Sequence, residues 1–285
     1  MKQYSLGLYE KAMPNTLDLP EKLALTTRCG FDRLEISIDE TDEKLARLAF
    51  SDKQLAVIAQ ASQDTGVPIS TMCLSAHRKY PLGSHDDATV KRSLKIMERA
   101  LYFAAAVGVR LIQLAGYDVY YEEHDTLTQG RFQENLTKVS EMAASCGILL
   151  GFETMETPFM DTTRKAMDYV RQVNSPYLGV YPDIGNLKNA AVLYGTDVVE
   201  DLHTGRGHIF AAHLKETRPG IYRNMTFGSG GHTEYTRCIG ELWNQGVRMY
   251  TGEFWYLGSQ TYEEDMIAAG KFLRGKIDPF TNSKW

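Results

Sequence analysis

Acidic or histidine side chains stand at the ends of four consecutive strand-like segments in the second half of the chain. Glu153 ends the apolar run that begins at Leu149. The next three such runs end at Asp183, His213 and Glu253. A carboxylate is costly to bury inside a sheet, whereas at the carboxyl end of a strand it can face a ligand or a metal ion. We therefore expect these four side chains to converge on one divalent cation and to form the active site.

Three carboxylates and one imidazole are ligands that suit Zn²⁺, Mn²⁺, Mg²⁺ or Co²⁺ better than copper. Each residue alone also has a simpler interpretation. Asp183 could cap a helix through Asn186, and Glu153 could pair with Lys165. His213 could be a hydrogen-bonded core histidine. The four residues share one topological position, and this favours a common role.

Strand-like segments alternate with segments of helical periodicity along the whole chain. The strands are predicted to begin near residues 4, 33, 68, 110, 149, 178, 209 and 249, and a final helix is expected to end near Leu273. Such alternation predicts right-handed βαβ units and a parallel sheet. Eight units predict an α/β fold, a single-domain (β/α)8 TIM barrel over residues 1–285 with a short C-terminal tail from about residue 276.

An open, doubly wound sheet is the alternative fold, but the glycine-rich phosphate-binding sequence is absent after the first strand. In a barrel the active site lies at the carboxyl ends of the strands. Adjacent strands lie under about 5 Å apart, so consecutive strand ends can surround one ion. The barrel therefore makes convergence of the four side chains a geometric expectation.

Composition narrows the class of partner. The 285 residues carry a net charge of −5, whereas nucleic-acid-binding proteins usually have a basic excess, so we expect no nucleic-acid partner. No apolar run approaches the roughly 20 residues of a membrane helix, and the start lacks the apolar segment of a signal peptide. The four cysteines are scattered and form no Cys-x-x-Cys. We expect reduced thiols in a cytoplasmic protein that has no membrane partner.

Four segments carry a resemblance to a known family. They are residues 72–84, 149–160, 181–187 and 207–220, and they include Met-Cys-Leu-Ser-Ala-His at 72–77 and Tyr-Pro-Asp-Ile-Gly-Asn at 181–186. Over essentially its whole length the chain resembles the L-ribulose-5-phosphate 3-epimerase family, also called L-xylulose-5-phosphate 3-epimerase, among the xylose-isomerase-like barrels. It departs from the family at Arg218, where a lysine is expected, and at Glu156, where an aspartate is usual. The segment between Asp183 and His213 is also a few residues longer.

The resemblance implies an isomerase that interconverts L-ribulose 5-phosphate and L-xylulose 5-phosphate in the catabolism of L-ascorbate or related pentoses. It implies one divalent metal ion held by Glu153, Asp183, His213 and Glu253, with Glu153 and Glu253 as the acid/base pair. We also expect a homodimer.

Epimerisation at C3 of a 2-ketopentose removes a weakly acidic proton and returns one to the other face, so two carboxylates on opposite faces suit it. A cation bridging O2 and O3 would stabilise the enediolate. Candidate ligands for the phosphate follow strand three (His77, Arg78) and strand seven (Lys215, Arg218, Arg223). Candidates for sugar hydroxyls, or for supporting contacts, are Glu35, Gln113 and Asn186, and Tyr9 and Trp255 are expected to wall the pocket.

Other functions fit parts of this pattern. An aldose–ketose isomerase, or a 3-epimerase of unphosphorylated ketoses, would need the same cation and base. An abasic-site endonuclease would need a histidine-rich multi-metal cluster, whereas the chain has only seven histidines and one among the four expected ligands. A non-catalytic sugar-binding barrel would need no intact ligand set, and all four ligands are present.

Overall fold

Eight parallel strands alternate with helices in residues 2–281, the part of the chain that the computed structural model describes. The strands are β1 (Ser5–Tyr9), β2 (Arg33–Ser37), β3 (Ile69–Leu74), β4 (Leu111–Ala115), β5 (Leu149–Glu153), β6 (Leu178–Val180), β7 (Ala212–Leu214) and β8 (Met249–Gly252). Each begins within three residues of its predicted start.

The strands form a closed barrel. Their order in the sheet is β6-β5-β4-β3-β2-β1-β8-β7, with β1 paired to both β2 and β8. The seam between β6 and β7 is formed by isolated bridges that join Val180 to Ile209 and Asp183 to His213. The predicted (β/α)8 barrel is therefore confirmed, and its closing seam runs through two of the expected metal ligands.

Ten α-helices surround the barrel within residues 2–281. They are α1 (Leu19–Arg28), α2 (Asp42–Ala46), α3 (Asp52–Thr65), α4 (Asp87–Val107), α5 (Thr126–Ser145), α6 (Thr163–Val173), α7 (Ile184–Tyr194), α8 (Val198–His203), α9 (Tyr235–Asn244) and α10 (Tyr262–Thr281). Helix α3 shows how local sequence sets the bounds. The Ser51 and Gln54 side chains form a capping box at its start, and Gly66 ends it with a φ of 67°.

The C-terminal segment differs from its prediction. Helix α10 continues to Thr281, beyond the predicted helix end near Leu273, so residues 276–281 of the predicted tail are helical. Ile277 is fully buried in the core, which gives this last part of the helix a packed apolar contact. Residues 282–285 lie outside the described part of the chain.

The barrel interior is unusually polar beneath the expected site. On β2, Leu34 and Ile36 are buried in the main apolar core, whereas Arg33 and Glu35 alternate with them and contact side chains of other strands. Arg33 and Glu35 are 1% and 0% exposed. Alternation along a strand therefore separates an apolar layer under the helices from a buried polar interior. No helix in residues 2–281 is long and apolar enough to cross a membrane.

Candidate active site

The four expected ligands lie together at the carboxyl ends of β5 to β8. One ligand atom from each of Glu153, Asp183, His213 and Glu253 lies within 4.8 Å of the others, and all four residues are buried. From His213 Nδ1 the carboxylate oxygens lie 3.1 Å away in Glu253, 3.5 Å in Glu153 and 4.0 Å in Asp183. The structure thus brings together the side chains that their strand-end positions predict.

The two oxygens of Asp183 face different partners. Its Oδ1 accepts a hydrogen bond from Asn186 N over 2.7 Å and caps α7, while its Oδ2 faces the cluster. The helix cap and the metal ligand, which appear as alternatives in the sequence, are therefore compatible with each other. A carboxylate whose second oxygen is held by a helix N-terminus is fixed in orientation, which favours ligand binding.

Lys215 completes the charge pattern of the cluster. Its Nζ lies 3.0 Å from Asp183 Oδ2 and 3.2 Å from Glu253 Oε2. Although burial lowers the pKa of Lys215, the neighbouring carboxylates outweigh burial and raise it. For Glu253 burial acts in the other direction and raises the pKa. The positive charges of Lys215 and His213 outweigh burial and hold the pKa of Glu253 well below its usual range.

Glu153 and His213 are shifted in the opposite direction to Glu253. Burial, followed by the charge of Glu253, raises the pKa of Glu153. Burial lowers the pKa of His213, but Glu35 and Glu253 raise it well above its usual value. Ionising Glu153 beside Glu253 is therefore unfavourable in the protein alone, and a divalent cation at the cluster would favour the ionised carboxylates.

The donor set fits a divalent metal ion. Asp183 Oδ2 and Glu253 Oε2 are buried and accept no hydrogen bond from residues 2–281, although both lie beside Lys215. An unsatisfied buried carboxylate oxygen is costly, and a coordinated cation would remove that cost. Three carboxylates with one imidazole match the hard to borderline cations.

A cleft opens above the cluster. It is lined by Tyr9, Lys11, Cys73, Ser75, Arg78, Glu153, Met155, Glu156, Asn186, Lys215, Tyr222, Arg223, Glu253 and Trp255, and it encloses about 500 Å³ of space that includes open solvent. The predicted wall residues Tyr9 and Trp255 are among them. A second cavity behind Trp255 is mainly apolar and offers Asp265 as its acidic group, so it lacks the paired carboxylates of the cleft.

Two arginines and an acid form the outer part of the cleft. Arg223 Nη2 lies 3.1 Å from Glu156 Oε1, and Tyr117 donates a hydrogen bond to Glu156 Oε2. The Arg78 guanidinium lies over the Tyr120 ring at 4.9 Å. Positively charged side chains are thus available at the mouth of the cleft, outside the metal-type cluster.

The three residues predicted as sugar-hydroxyl or supporting contacts lie close to the cluster. Glu35 Oε1 lies 2.5 Å from His213 Nε2 at the bottom of the site. Gln113 Nε2 lies 3.1 Å from His213 Nδ1, so this residue contacts the imidazole rather than the open cleft. Asn186 lines the cleft, its Nδ2 donates to Thr154 O, and its Oδ1 is buried without a hydrogen-bond partner among residues 2–281.

Two predicted phosphate ligands face elsewhere. His77 lies in a 3-10 turn after β3, and its Nε2 is 3.3 Å from Ser93 O on α4, so the ring packs under a helix and does not line the cleft. Burial also lowers its pKa to about 4, which keeps it neutral near pH 7. Arg218 lies outside the cleft lining as well, because its Nη2 donates to Ser229 O in the loop after β7. Arg78, one residue after His77, points the other way into the cleft.

Sequence reasoning did not single out Lys11, Tyr222 or Glu156 as site residues. Lys11 follows β1 by two residues, and its Nζ pairs with Asp39 Oδ2 at 2.6 Å at the edge of the cleft. Its position just beyond a barrel strand is the signal that could have identified it. Glu156 and Tyr222 lie in loops, where sequence spacing does not determine direction.

The fold and the site together define a class: a (β/α)8 barrel whose strand ends carry a buried cluster suited to a divalent metal. Residues 23–272 match the xylose isomerase-like TIM barrel family. Within that class, the chain belongs to the L-ribulose-5-phosphate 3-epimerase family. It is 41% identical to L-ribulose-5-phosphate 3-epimerase UlaE of Shigella sonnei (strain Ss046) over 277 residues, covering 97% of this chain and 96% of that protein. It is 43% identical to UlaE of Escherichia coli O139:H28 over 271 residues, covering 95% and 93%.

Solved structures support the same fold. A D-psicose 3-epimerase of Clostridium cellulolyticum H10 with D-tagatose superposes with a TM-score of 0.80 at 17% identity, covering 96% of this chain and 99% of that one. An L-ribulose 3-epimerase superposes with a TM-score of 0.76 at 16% identity, covering 98% and 96%. At this level of identity the likeness concerns the barrel, and the substrate must be argued from the site.

Proposed function

We propose that this protein is a metal-dependent 3-epimerase that interconverts L-ribulose 5-phosphate and L-xylulose 5-phosphate. One observation carries the proposal. The carboxylates of Glu153 and Glu253 come from strands separated by two others, and both reach the same buried cluster. An epimerase must remove a proton from one face of a carbon and deliver one to the other face, and two such carboxylates meet that need.

Glu153, Asp183, His213 and Glu253 would hold the divalent ion, which when bound supplies Lewis-acid polarisation of the substrate oxygens. In one direction Glu153 takes the proton from C3 while Glu253 delivers a proton to the opposite face, and in the other direction the two exchange roles. Asp183 and His213 are chiefly ligands, because α7 and Glu35 fix their orientations.

Lys215 acts at the reacting end of the substrate rather than on its phosphate. Its Nζ lies among the ligand carboxylates and over the Trp255 ring at 5.8 Å, and the nearly buried side chain lines the cleft. A buried ammonium at this place stabilises negative charge that develops on the substrate oxygens as the C3 proton leaves.

The substrate phosphate would bind at the outer part of the cleft. Lys11, Arg78 and Arg223 line this region, whereas His77 and Arg218 do not. Glu156 pairs with Arg223 and Asp39 pairs with Lys11, so Arg78 offers the more available positive charge. Arginine presents several donors that match phosphate oxygens, which makes Arg78 the leading phosphate ligand.

The test is proton exchange in D₂O, followed by NMR, with L-ribulose 5-phosphate and protein supplied with Mn²⁺, Zn²⁺, Co²⁺ or Mg²⁺. We expect deuterium at C3 with formation of L-xylulose 5-phosphate. Glu153→Gln and Glu253→Gln should each reduce turnover by about 10²–10⁴-fold, the usual contribution of a general acid or base. Glu234→Gln is the matched control, because it removes a carboxylate that pairs with Lys188 outside the cleft. Exchange at C1 instead of C3, or full turnover in Glu253→Gln, would reject the proposal.

A 3-epimerase of unphosphorylated ketoses is the second candidate, because the structural neighbours include D-psicose and L-ribulose 3-epimerases. The cations at the mouth of the cleft favour the phosphorylated substrate. Comparing kcat/KM for L-ribulose and its 5-phosphate separates the two activities.

The homodimer, the cytoplasmic location and the role in L-ascorbate catabolism stay predictions. Analytical ultracentrifugation of the purified protein tests the first of them, and a monomer at micromolar concentration would contradict it.

A further inference from the structure

A continuous chain of hydrogen bonds crosses the barrel interior from Arg33 to His213. Arg33 Nη2 lies 2.8 Å from Thr251 Oγ1, and Thr251 Oγ1 lies 2.7 Å from the Tyr181 hydroxyl. That hydroxyl lies 2.7 Å from Glu35 Oε2, and Glu35 Oε1 lies 2.5 Å from His213 Nε2. The five residues come from three strands, β2, β7 and β8, and from the segment after β6, and all are at most 1% exposed.

The direction of every proton in this chain is fixed from its two ends. A guanidinium can only donate, so Thr251 accepts from Arg33; because Tyr181 has one hydrogen and an ionised Glu35 must accept it, Thr251 donates to Tyr181. Tyr181 then donates to Glu35 Oε2. An ionised carboxylate can only accept, so the hydrogen between Glu35 and His213 is carried by Nε2. This assignment leaves Nδ1 as the imidazole nitrogen that can act as a ligand.

Packing makes the chain rigid. A Cβ on Gly7 of β1 would lie 2.8 Å from the Arg33 guanidinium carbon, so the glycine provides the space in which the guanidinium lies. Arg33 Nη1 also donates to Thr71 on β3 over 2.9 Å. The Tyr181 ring meets the His213 ring edge to face at 4.9 Å between centroids. The imidazole is thus held both by hydrogen bonds and by contact.

We propose that Glu35, Tyr181, Thr251 and Arg33 are positioning residues that hold His213 as the Nε2–H form and present Nδ1 to the metal ion. The geometry agrees, because Nδ1 is the nitrogen that lies 3.1 to 4.0 Å from the oxygens of Glu253, Glu153 and Asp183. Partners of a metal-binding histidine commonly fix its ring in this way. The inference rests on the metal site of the proposed function and extends it to residues that touch neither metal nor substrate.

The test measures Co²⁺ binding to the full chain without any substrate. Glu35→Gln and Tyr181→Phe are compared with the control Tyr250→Phe. Tyr250 is another buried tyrosine, and its hydroxyl donates to Val247 O instead of taking part in the hydrogen-bond chain. Chelator competition gives the affinity. Visible absorption of bound Co²⁺ and its paramagnetically shifted, exchangeable imidazole N–H proton report the ligand geometry.

We expect Glu35→Gln to weaken Co²⁺ binding by about 10- to 100-fold, the usual effect of losing such a partner. The imidazole N–H signal of this variant should shift and exchange faster with solvent. Tyr181→Phe should change both readouts in the same direction but less, and Tyr250→Phe should match the wild type even if it lowers the Tm. This contrast separates positioning from a general loss of stability.

Affinity and N–H signal equal to the wild type in Glu35→Gln would overturn the proposal. If Glu35→Gln does not fold, a wild-type affinity and N–H signal in Tyr181→Phe overturn the proposal. An equal loss of Co²⁺ affinity in Tyr250→Phe also overturns it. So does the absence of Co²⁺ binding by the wild type. None of these readouts requires turnover. A protein that binds Co²⁺ as expected but epimerises no pentulose 5-phosphate would therefore reject the proposed function and leave this inference standing.

Discussion

Replacing Lys215 with methionine removes the ammonium that lies between two buried carboxylates. The methionine keeps most of the apolar stem, so the change isolates the charge. In the metal-free protein Asp183 and Glu253 then lose a cation at 3.0 and 3.2 Å. Removing one partner of a buried ion pair costs about 3–5 kcal/mol, because the remaining charge stays buried.

That loss translates into a measurable thermal shift. For a chain of this size about 1 kcal/mol lowers the Tm by roughly 2 °C, so Lys215→Met should lower the Tm of the metal-free protein by about 6–10 °C. A bound divalent cation compensates the same carboxylates. The Tm difference between Lys215→Met and the wild type should therefore be much smaller at saturating Mn²⁺ than in chelator.

The dependence on pH follows from the direction of the shift at Glu253. Lys215 helps to hold the pKa of Glu253 well below its usual range, so this pair stabilises the fold above pH about 4 and loses its effect as the pH falls. Without Lys215 the buried carboxylate has a raised pKa, so lowering the pH stabilises the variant. The difference from the wild type should narrow between pH 7 and pH 5.

Differential scanning calorimetry at both pH values, with chelator and with Mn²⁺, gives the answer. Lys188→Met is the control, because Lys188 pairs with Glu234 at a partly exposed site, where an ion pair contributes about 0–1 kcal/mol. Equal losses of Tm with and without metal, or a loss no larger than that of Lys188→Met, would refute the electrostatic account of Lys215.

Three further predictions concern other parts of the molecule. Gly7→Ala should destabilise the fold by about 1–3 kcal/mol in urea unfolding, because the added Cβ would overlap the Arg33 guanidinium. The control Gly130→Ala, where the added Cβ enters open space on α5, should stabilise the fold by about 0.5–1 kcal/mol. Burial raises the pKa of Glu10, but Arg47 and its neighbouring lysines lower it to about 2. Glu10→Gln should therefore lower the free energy of unfolding by roughly 3 kcal/mol at pH 7, and this loss should shrink as the pH falls from about 4 toward 2. A loss that stays constant with pH would contradict the prediction. Arg78→Gln should raise the KM for a pentulose 5-phosphate about tenfold and leave the KM for the unphosphorylated ketose unchanged, as measured by steady-state kinetics; equal effects on both substrates would remove Arg78 from phosphate binding.

Much of the fold follows from local sequence. Strand-like runs and helical segments repeat eight times, and each strand starts within three residues of its prediction because hydrophobic periodicity and glycine or capping residues are local signals. The sequence indicates helix α7 only through a possible cap formed by Asp183 and Asn186. The short, largely apolar segment lacks the amphipathic pattern that identifies a surface helix, so its length does not follow from local sequence.

The sequence by itself determined which side chains could form the metal-type cluster. Glu153, Asp183, His213 and Glu253 end consecutive parallel strands, and a closed barrel places consecutive strand ends side by side. Once the repeat predicted the barrel, their convergence required no knowledge of individual side-chain contacts.

Only the tertiary structure decided what surrounds that cluster. Glu35 and His213 are 178 residues apart in sequence, and no local pattern predicts that one holds the other. A single turn after β3 sends His77 under α4 and Arg78 into the cleft, because side-chain directions in a turn depend on backbone angles that packing sets. Lys215 was expected near the phosphate, yet its place on the same strand face as His213 puts it between two carboxylates, where long-range charge determines its role.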